Sequence, residues 1–381
     1  MKKISIIGST GSIGVQALDV AQSLGLPVCT LAAGKNISLL EQQARIFHPQ
    51  AVAVYDEQAA AELKGRMVDT DIQVLAGEQG VCLAAGWDNA DITLNAAVGI
   101  AGLRPTLAAI DAGKTLALAN KESLVCGGSL VMSRAEEKGV DILPVDSEHS
   151  AIFQALRCGS RQEVSRLLLT ASGGPFFGRT LAELERVTPA QALRHPSWNM
   201  GAKITIDSST MMNKGFEVIE AHWLFGVPQD RIDVVVHRES VVHSFVEFCD
   251  GTVAAICSPP DMRLPIQYAL TWPERAPAER RRLDVTSPFQ WSFFPPDRDC
   301  FPALRLCEKA LKDGGNRGAV VNGANEEAVG LFLREKIGYC DIVRLVSEAL
   351  ERVPYVPVDD CGEIFESDQA ARRAVRAAIN Q

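Results

Sequence analysis

Asp146 and Glu148 stand two residues apart in Pro144-Val145-Asp146-Ser147-Glu148-His149-Ser150, after an apolar lead-in of Val140, Ile142 and Leu143. Read as the end of a strand, residues two apart project to one face. Two carboxylates held side by side repel each other, and burial adds to the cost. A cation between them removes the conflict, and hard carboxylate oxygens suit magnesium or manganese. The same residues also fit a solvated acidic loop. A third carboxylate, Glu217, arrives in Met212-Asn213-Lys214-Gly215-Phe216-Glu217, ahead of the apolar-periodic run Val218, Ile219, Ala221, Trp223, Leu224 and Phe225. On a helix Asn213 and Glu217 are i, i+4 neighbours, and Lys214 lies three before Glu217. An amide, an ammonium and a carboxylate on one face suit a phosphorylated, metal-bound substrate. Lys214 and Asn213 would take the phosphate and Glu217 the metal. A capped, solvated first turn is the plainer reading.

Three further polar stretches stand out. Ala171-Ser172-Gly173-Gly174-Pro175-Phe176 ends a strand over 164–170, and its small residues would let the backbone approach an anion. Arg194-His195-Pro196-Ser197-Trp198-Asn199-Met200-Gly201 puts a Trp and a Met in a Pro/Gly-bounded loop, either a lid over a ligand or a loop pinned to the core. Asn120-Lys121-Glu122-Ser123 follows a strand ending at Ala119 and reads as a helix start capped by Asn120 or as part of a site.

These residues need elements to position them. The short strand Lys3–Ile7 runs into Gly8-Ser9-Thr10-Gly11-Ser12-Ile13-Gly14 and then a helix over 15–24, the context in which glycines bring the backbone to a pyrophosphate. The spacing is G-x-x-G-x-x-G, so the general dinucleotide fingerprint is met only in part. The second strand, 28–33, ends in Gly34-Lys35-Asn36 where an NAD site would carry an acid, and this favours NADP. Strands over 51–55, 72–76, 91–95, 115–119 and 140–145 alternate with helical patterns, as in a doubly wound parallel sheet. Further strands are expected over 203–206, 232–237, 241–248 and 252–257. Pro259 to Pro265 reads as a stiff loop and 273–299 as a proline-rich, charged stretch. The tail is helical over 301–311, 319–335, 342–352 and 366–379, and Asn322 to Glu327 reads as helix start and surface. The fold class is α/β: an N-terminal Rossmann-like sheet over 1–150, a central α+β catalytic part over 151–285 with a lid loop at 194–201, a linker over 286–300, and a C-terminal helical bundle over 301–381.

Composition bounds the function. A net charge of -9 argues against nucleic acid or an anionic membrane as partner. The apolar run after Met1-Lys2-Lys3 is too short for a signal core, and no run approaches the ~20 residues of a membrane helix. Ten cysteines at irregular spacing read as the reduced thiols of a cytoplasmic protein.

Taken together, the runs Gly8–Gly14, Ala119–Ser123, Val145–His149, Thr170–Phe176, His195–Trp198 and Met212–Glu217 resemble the 1-deoxy-D-xylulose 5-phosphate reductoisomerase family, in order and over two-thirds of the chain. The helical tail matches as well. The resemblance implies a homodimeric enzyme of the non-mevalonate isoprenoid pathway. It would convert 1-deoxy-D-xylulose 5-phosphate to 2-C-methyl-D-erythritol 4-phosphate with NADPH and Mg²⁺ or Mn²⁺. It implies NADPH contacts at Thr10, Gly11, Ser12, Ile13, Gly34, Lys35, Asn36, Asn120, Glu122 and Gly201, and metal ligands at Asp146, Glu148 and Glu217. Substrate contacts would be Lys121, Ser147, Glu148, Ser172, His195, Ser208, Asn213, Lys214 and Glu217, with Trp198 as the lid tryptophan. The catalytic set would be Asp146, Glu148, Glu217, Lys121 and His195. One departure is His237-Arg238-Glu239-Ser240, where many members have His-Pro-Gln-Ser; it falls outside the matched ligands. Two other readings are compatible with the glycine turn. One is a different NADP-dependent dehydrogenase, of semialdehyde or homoserine type, which leaves the three carboxylates unexplained. The other is a nucleotide-sensing binding protein, which leaves the Asn213/Lys214/Glu217 face idle.

Overall fold

The computed structural model describes residues 1–198, 200–277, 282–286 and 289–379. Asn199 of the expected lid loop and residues 287–288 of the expected linker lie outside the described residues. The chain forms two compact units. The first contains Met1–Ser123, Val131–Ser150 and Asp261–Glu279, and the second contains Leu124–Leu130, Ala151–Pro260 and Arg280–Gln381.

The first unit alternates strand and helix: β1 (Ile4–Ile7), α1 (Ser12–Leu24), β2 (Val28–Ala33), α2 (Ile37–Phe47), β3 (Ala51–Val54), α3 (Glu57–Arg66), β4 (Gln73–Ala76), α4 (Gly77–Ala85), β5 (Ile92–Asn95), α5 (Leu103–Asp111), β6 (Thr115–Leu118), α6 (Glu122–Lys138), β7 (Ile142–Pro144) and α7 (Ser147–Ala155), with Leu124–Leu130 of α6 and the end of α7 from Ala151 counted in the second unit. The seven strands are all parallel, in the order β4-β3-β2-β1-β5-β6-β7. Strands β1, β2, β3 and β5 are buried along their whole length and read as mostly apolar runs, with Ser5, Thr30, Thr93 and Asn95 as buried polar exceptions. Strand order reverses at β1, so a crevice opens beyond the C-terminal ends of β1 and β5, where such sheets bind ligands.

The second unit holds β8 (Val164–Ala171), α8 (Leu181–Leu184), α9 (Pro189–Ala192), α10 (Ala202–Ser209), α11 (Met212–Phe225), β9 (Ile232–Val236), β10 (Val242–Phe248) and β11 (Val253–Cys257). Then come α12 (Arg263–Thr271), α13 (Ala303–Asp313), α14 (Arg317–Leu333), α15 (Tyr339–Arg352) and α16 (Cys361–Ile379). Of these, α12 belongs to the first unit, where it packs on α1, β6 and β7 and ties Arg263 to Asp19 at 2.7 Å. The second sheet is mixed, in the order β11-β10-β8-β9, with β8 and β9 parallel and the other pairs antiparallel. Helix α11 covers β8 and β9, and α14 packs among α13, α15 and α16. Residues 289–294 are not a free connection: the Phe294 and Val236 backbones exchange hydrogen bonds, and Phe293 stacks on His237.

Two readings need correction. The strand expected over 203–206 is the helix α10. The β-branched run Ile204-Thr205-Ile206 favours strand locally, but a helix buries Thr205, Ile206 and Ser209 together and lets Asp207 reach Lys203 one turn back, at 2.9 Å. Asn322 and Asn325 are not helix start or surface. They lie inside α14, fully buried, donating to Asp368 at 3.1 Å and to Asp207 at 2.8 Å. Among the described residues no helix is long and apolar enough to cross a membrane.

Candidate active site

In the first unit the glycine turn leaves β1 and feeds α1. A Cβ on Gly14 would meet the Gly8 carbonyl oxygen at 2.2 Å and the Ser9 Cα at 2.5 Å, so only glycine lets turn and helix pack here. Ser9 locks the turn to α2 through Gln43, whose Nε2 donates to the Ser9 carbonyl at 2.9 Å. Thr10, Gly11, Ser12 and Ile13 thereby sit at the N-terminus of α1, beside the strand-order reversal. First-turn amides there have no partner within the helix, and the helix dipole adds positive potential, which suits an anion. At the end of β2, Asn36 accepts from the Leu39 amide at 3.3 Å and caps α2. Lys35 is 82% exposed and pairs with Asp56 at 3.1 Å. The Asp56 carboxyl is held below its ordinary range, first by the Ala59 amide and then by Lys35. Asn120 is buried; its amide donates to the Ala97 and Gly99 carbonyls, at 2.8 and 2.9 Å, and to Glu122 at 3.1 Å. Asn120 and Glu122 thus brace the loop that follows β5.

Asp146, Ser147 and Glu148 do not lie on an extended segment, which corrects the geometry inferred from their spacing. Strand β7 stops at Pro144 and α7 begins at Ser147. The Asp146 carbonyl accepts from the Ser150 amide at 2.8 Å, and its carboxylate from the Ser147 amide at 3.0 Å. A side chain that captures its neighbour's amide starts a helix rather than prolonging a strand. Glu148 then stands in the first helical turn, where the dipole favours negative charge, and accepts from Ser147 Oγ at 2.6 Å. Lys121 Nζ is 2.5 Å from the Asp146 carboxylate, and both side chains are largely buried.

In the second unit Ser172, His195 and Ser208 come together. His195 Nε2 lies 3.0 Å from each serine Oγ. Its Nδ1 accepts from the Trp198 amide at 2.9 Å and the Ser197 amide at 3.2 Å. A nitrogen accepting two amide hydrogens carries no proton of its own, so the proton is on Nε2 and the ring is neutral. Burial, with Arg238 adding to it, pushes the imidazole down to about 4, in agreement with that tautomer. Both serines therefore accept toward the ring and keep their hydroxyl hydrogens for another partner. Gly174, at φ +64, lets the turn after β8 lie against α10: a Cβ there would be 2.8 Å from the Ser208 carbonyl oxygen. Trp198 sits 6.3 Å from His243, ring to ring, and Gly201 is the N-cap of α10.

Helix α11 starts at Met212, after Met211 in the left-handed region at φ 64. Asn213 Nδ2 donates to Glu217 at 2.5 Å, and Lys214 forms an ion pair with the other Glu217 oxygen. Lys214 is 4% and Glu217 1% exposed, so each charge depends on the other. The amide, ammonium and carboxylate expected on one helical face are all there. Asp146 and Glu217 each have an ammonium partner within their own unit. Carboxylate oxygens of this kind are the donors a magnesium or manganese ion takes, and the residues fit such a group.

Arg238 was not among the expected ligands. Its Nη1 donates to the Ser172 and Gly174 carbonyls. Its partners are main-chain atoms of a distant turn, so no motif announces it.

Comparison with known proteins gives consistent results. Models of the 1-deoxy-D-xylulose 5-phosphate reductoisomerase family match residues 4–128, and models of its C-terminal domains match 142–225 and 257–374. A 1-deoxy-D-xylulose 5-phosphate reductoisomerase from Acetivibrio thermocellus is 52% identical over all of both chains, and one from Chlorobaculum tepidum 48% over all of both. Among solved structures, the Zymomonas mobilis enzyme in complex with NADPH matches with a TM-score of 0.93 and 41% identity, over 100% of this chain and 99% of that one. A DOX-P reductoisomerase in complex with NADPH, fosmidomycin and magnesium matches with a TM-score of 0.95 and 36% identity, over 100% and 98%.

Proposed function

The chain belongs to the 1-deoxy-D-xylulose 5-phosphate reductoisomerase family, and from that membership we infer what each part of its site does. It is an NADP-dependent oxidoreductase that converts 1-deoxy-D-xylulose 5-phosphate to 2-C-methyl-D-erythritol 4-phosphate in the non-mevalonate isoprenoid pathway, with NADPH and a divalent cation. When bound, the cation supplies Lewis-acid charge to the substrate's oxygens and NADPH supplies a hydride.

Asp146, Glu148 and Glu217 are our proposed ligands for that cation. Lys121 and Lys214, each paired with one of these carboxylates, balance their charge. Ser172 and Ser208, their hydroxyls oriented by His195 Nε2–H, donate hydrogen bonds with Asn213 and Lys214 to the substrate's phosphate, while Ser147 and Lys121 face its sugar end. Trp198 closes over the bound sugar and excludes water. Thr10, Gly11, Ser12 and Ile13 take the NADPH pyrophosphate on the α1 N-terminus, and Gly34, Lys35 and Asn36 the 2′-phosphate, with Asn120, Glu122 and Gly201 as further cofactor contacts. The parts proposed to carry these roles are residues 1–150 for NADPH, 151–285 for catalysis with the lid loop 194–201, 286–300 as connection and 301–381 as helical support. A cytoplasmic homodimer is the expected form.

The buried Asn213–Glu217–Lys214 constellation carries this reading, because it would be costly to keep without a ligand to serve. The test is NADPH oxidation with 1-deoxy-D-xylulose 5-phosphate, with and without EDTA. Chelation stops turnover, and Glu148→Gln abolishes metal-dependent turnover while leaving NADPH affinity intact. Near-normal turnover of that variant at low metal would sink the ligand assignment.

A further inference from the structure

Arg238 follows β9 and is none of the metal, phosphate or cofactor residues above. One atom of it, Nη1, donates to two main-chain carbonyls of a single turn, that of Ser172 and that of Gly174, the latter at 2.6 Å. Its guanidinium lies 5.2 Å from the centre of the Phe177 ring, just beyond the turn. Its own carbonyl is 3.4 Å from Ser197 Oγ, two residues past His195. The side chain thus grips the turn that carries Ser172, and the backbone touches the loop that carries His195.

That turn needs holding. Gly173 and Gly174 both adopt positive φ, 73 and 64, and two successive glycines are free to leave that shape when nothing restrains them. Two N–H groups on one guanidinium nitrogen, aimed at two carbonyls, fix the path between them. The guanidinium stays charged even when half-buried. It therefore also adds positive potential behind hydroxyls that must meet an anion.

We propose that Arg238 is a positioning residue for the substrate's phosphate, fixing the Ser172–Gly174 turn so that the Ser172 hydroxyl is set beside Ser208 and His195. This rests on the reading that Ser172, His195, Ser208 and Lys214 hold the phosphate. The phosphate is unchanged in the reaction, so contacts to it act alike on ground and transition states. Their loss falls on KM rather than kcat.

Steady-state kinetics of the full-length enzyme at saturating NADPH and metal test this with Arg238→Gln, Arg238→Lys and Lys214→Met. Arg238→Gln raises KM for the sugar phosphate by ~10-fold or more, with kcat within about threefold and KM for NADPH unchanged. Arg238→Lys keeps the charge but not the fork, and recovers part of the loss. A fall in kcat with KM unchanged, or parental kinetics, overturns the proposal. If Lys214→Met raises KM and Arg238→Gln does not, the phosphate reading stands and Arg238 has no part in it. If neither raises KM, both ideas fail. Should Arg238→Gln fail to fold, Arg238→Lys decides: a KM equal to the parent's overturns the proposal, and a raised KM at unchanged kcat supports it.

Discussion

His195 shows how much one ring depends on two backbone amides. Because Nδ1 is occupied by the Ser197 and Trp198 amides, protonating the ring would set a hydrogen against hydrogens already there. Burial opposes the charge too, and the folded-state value falls from the ordinary 6.5 to about 4. In the unfolded chain the ring takes up a proton below about 6.5. Between these values the unfolded state binds the proton that the folded state refuses, so stability is lost as pH falls through that window and is whole above it. Urea unfolding as a function of pH checks this, with His195→Gln expected to flatten the slope between roughly pH 6.5 and pH 4. Identical slopes in the two proteins would remove His195 from the account.

At the level of elements, the first sheet was legible because a strand buried on both faces is mostly apolar, as β1, β2, β3 and β5 are, and polar residues such as Thr30, Thr93 and Asn95 are admitted with hydrogen-bond partners. The glycine turn was legible for a reason that can be tested by position. Alanine at Gly14 drives its Cβ into the Gly8 and Ser9 backbone, whereas at Gly11 the nearest atom is 3.3 Å away and φ is an ordinary -80. Gly14→Ala should cost ~1–3 kcal/mol or more and Gly11→Ala within about 0.5 kcal/mol, read from urea midpoints. Equal effects would mean that turn and helix are not packed as described. Three elements were hidden. Helix α10 carries a β-branched run that locally prefers strand. Helix α7 starts one residue after Asp146, and strand and helix boundaries leave little trace in sequence. The start of helix α12 was read as the end of a stiff loop over 259–265, yet Pro265 is the third residue of the helix and has no intrahelical N–H bond to lose. Of the site, Asn213, Lys214 and Glu217 were legible because helical spacing alone joins them. Arg238 was not, since what it binds is the main chain of a turn whose register no residue type encodes.

For the whole molecule, chain order and compact unit do not coincide. The first unit takes in Asp261–Glu279, and there Ile266, Tyr268 and Leu270 of α12 are buried. Each large apolar side chain so covered contributes ~1.5–3 kcal/mol. A fragment of residues 1–150 should therefore unfold at lower urea than the same fragment with 261–279 joined to it by a flexible linker. Circular dichroism measures both midpoints, and equal values would show that α12 adds nothing to the unit. The return of α12 also has a consequence for the order of synthesis. On the ribosome the first unit cannot complete itself when residue 150 emerges. At ~5–20 residues per second its last helix is complete roughly 6–24 s later. During that wait, α1, β6 and β7 keep the face meant for α12 uncovered while every strand of the second sheet is made, so the nascent chain holds a half-finished nucleotide-binding unit with apolar surface exposed to wrong partners.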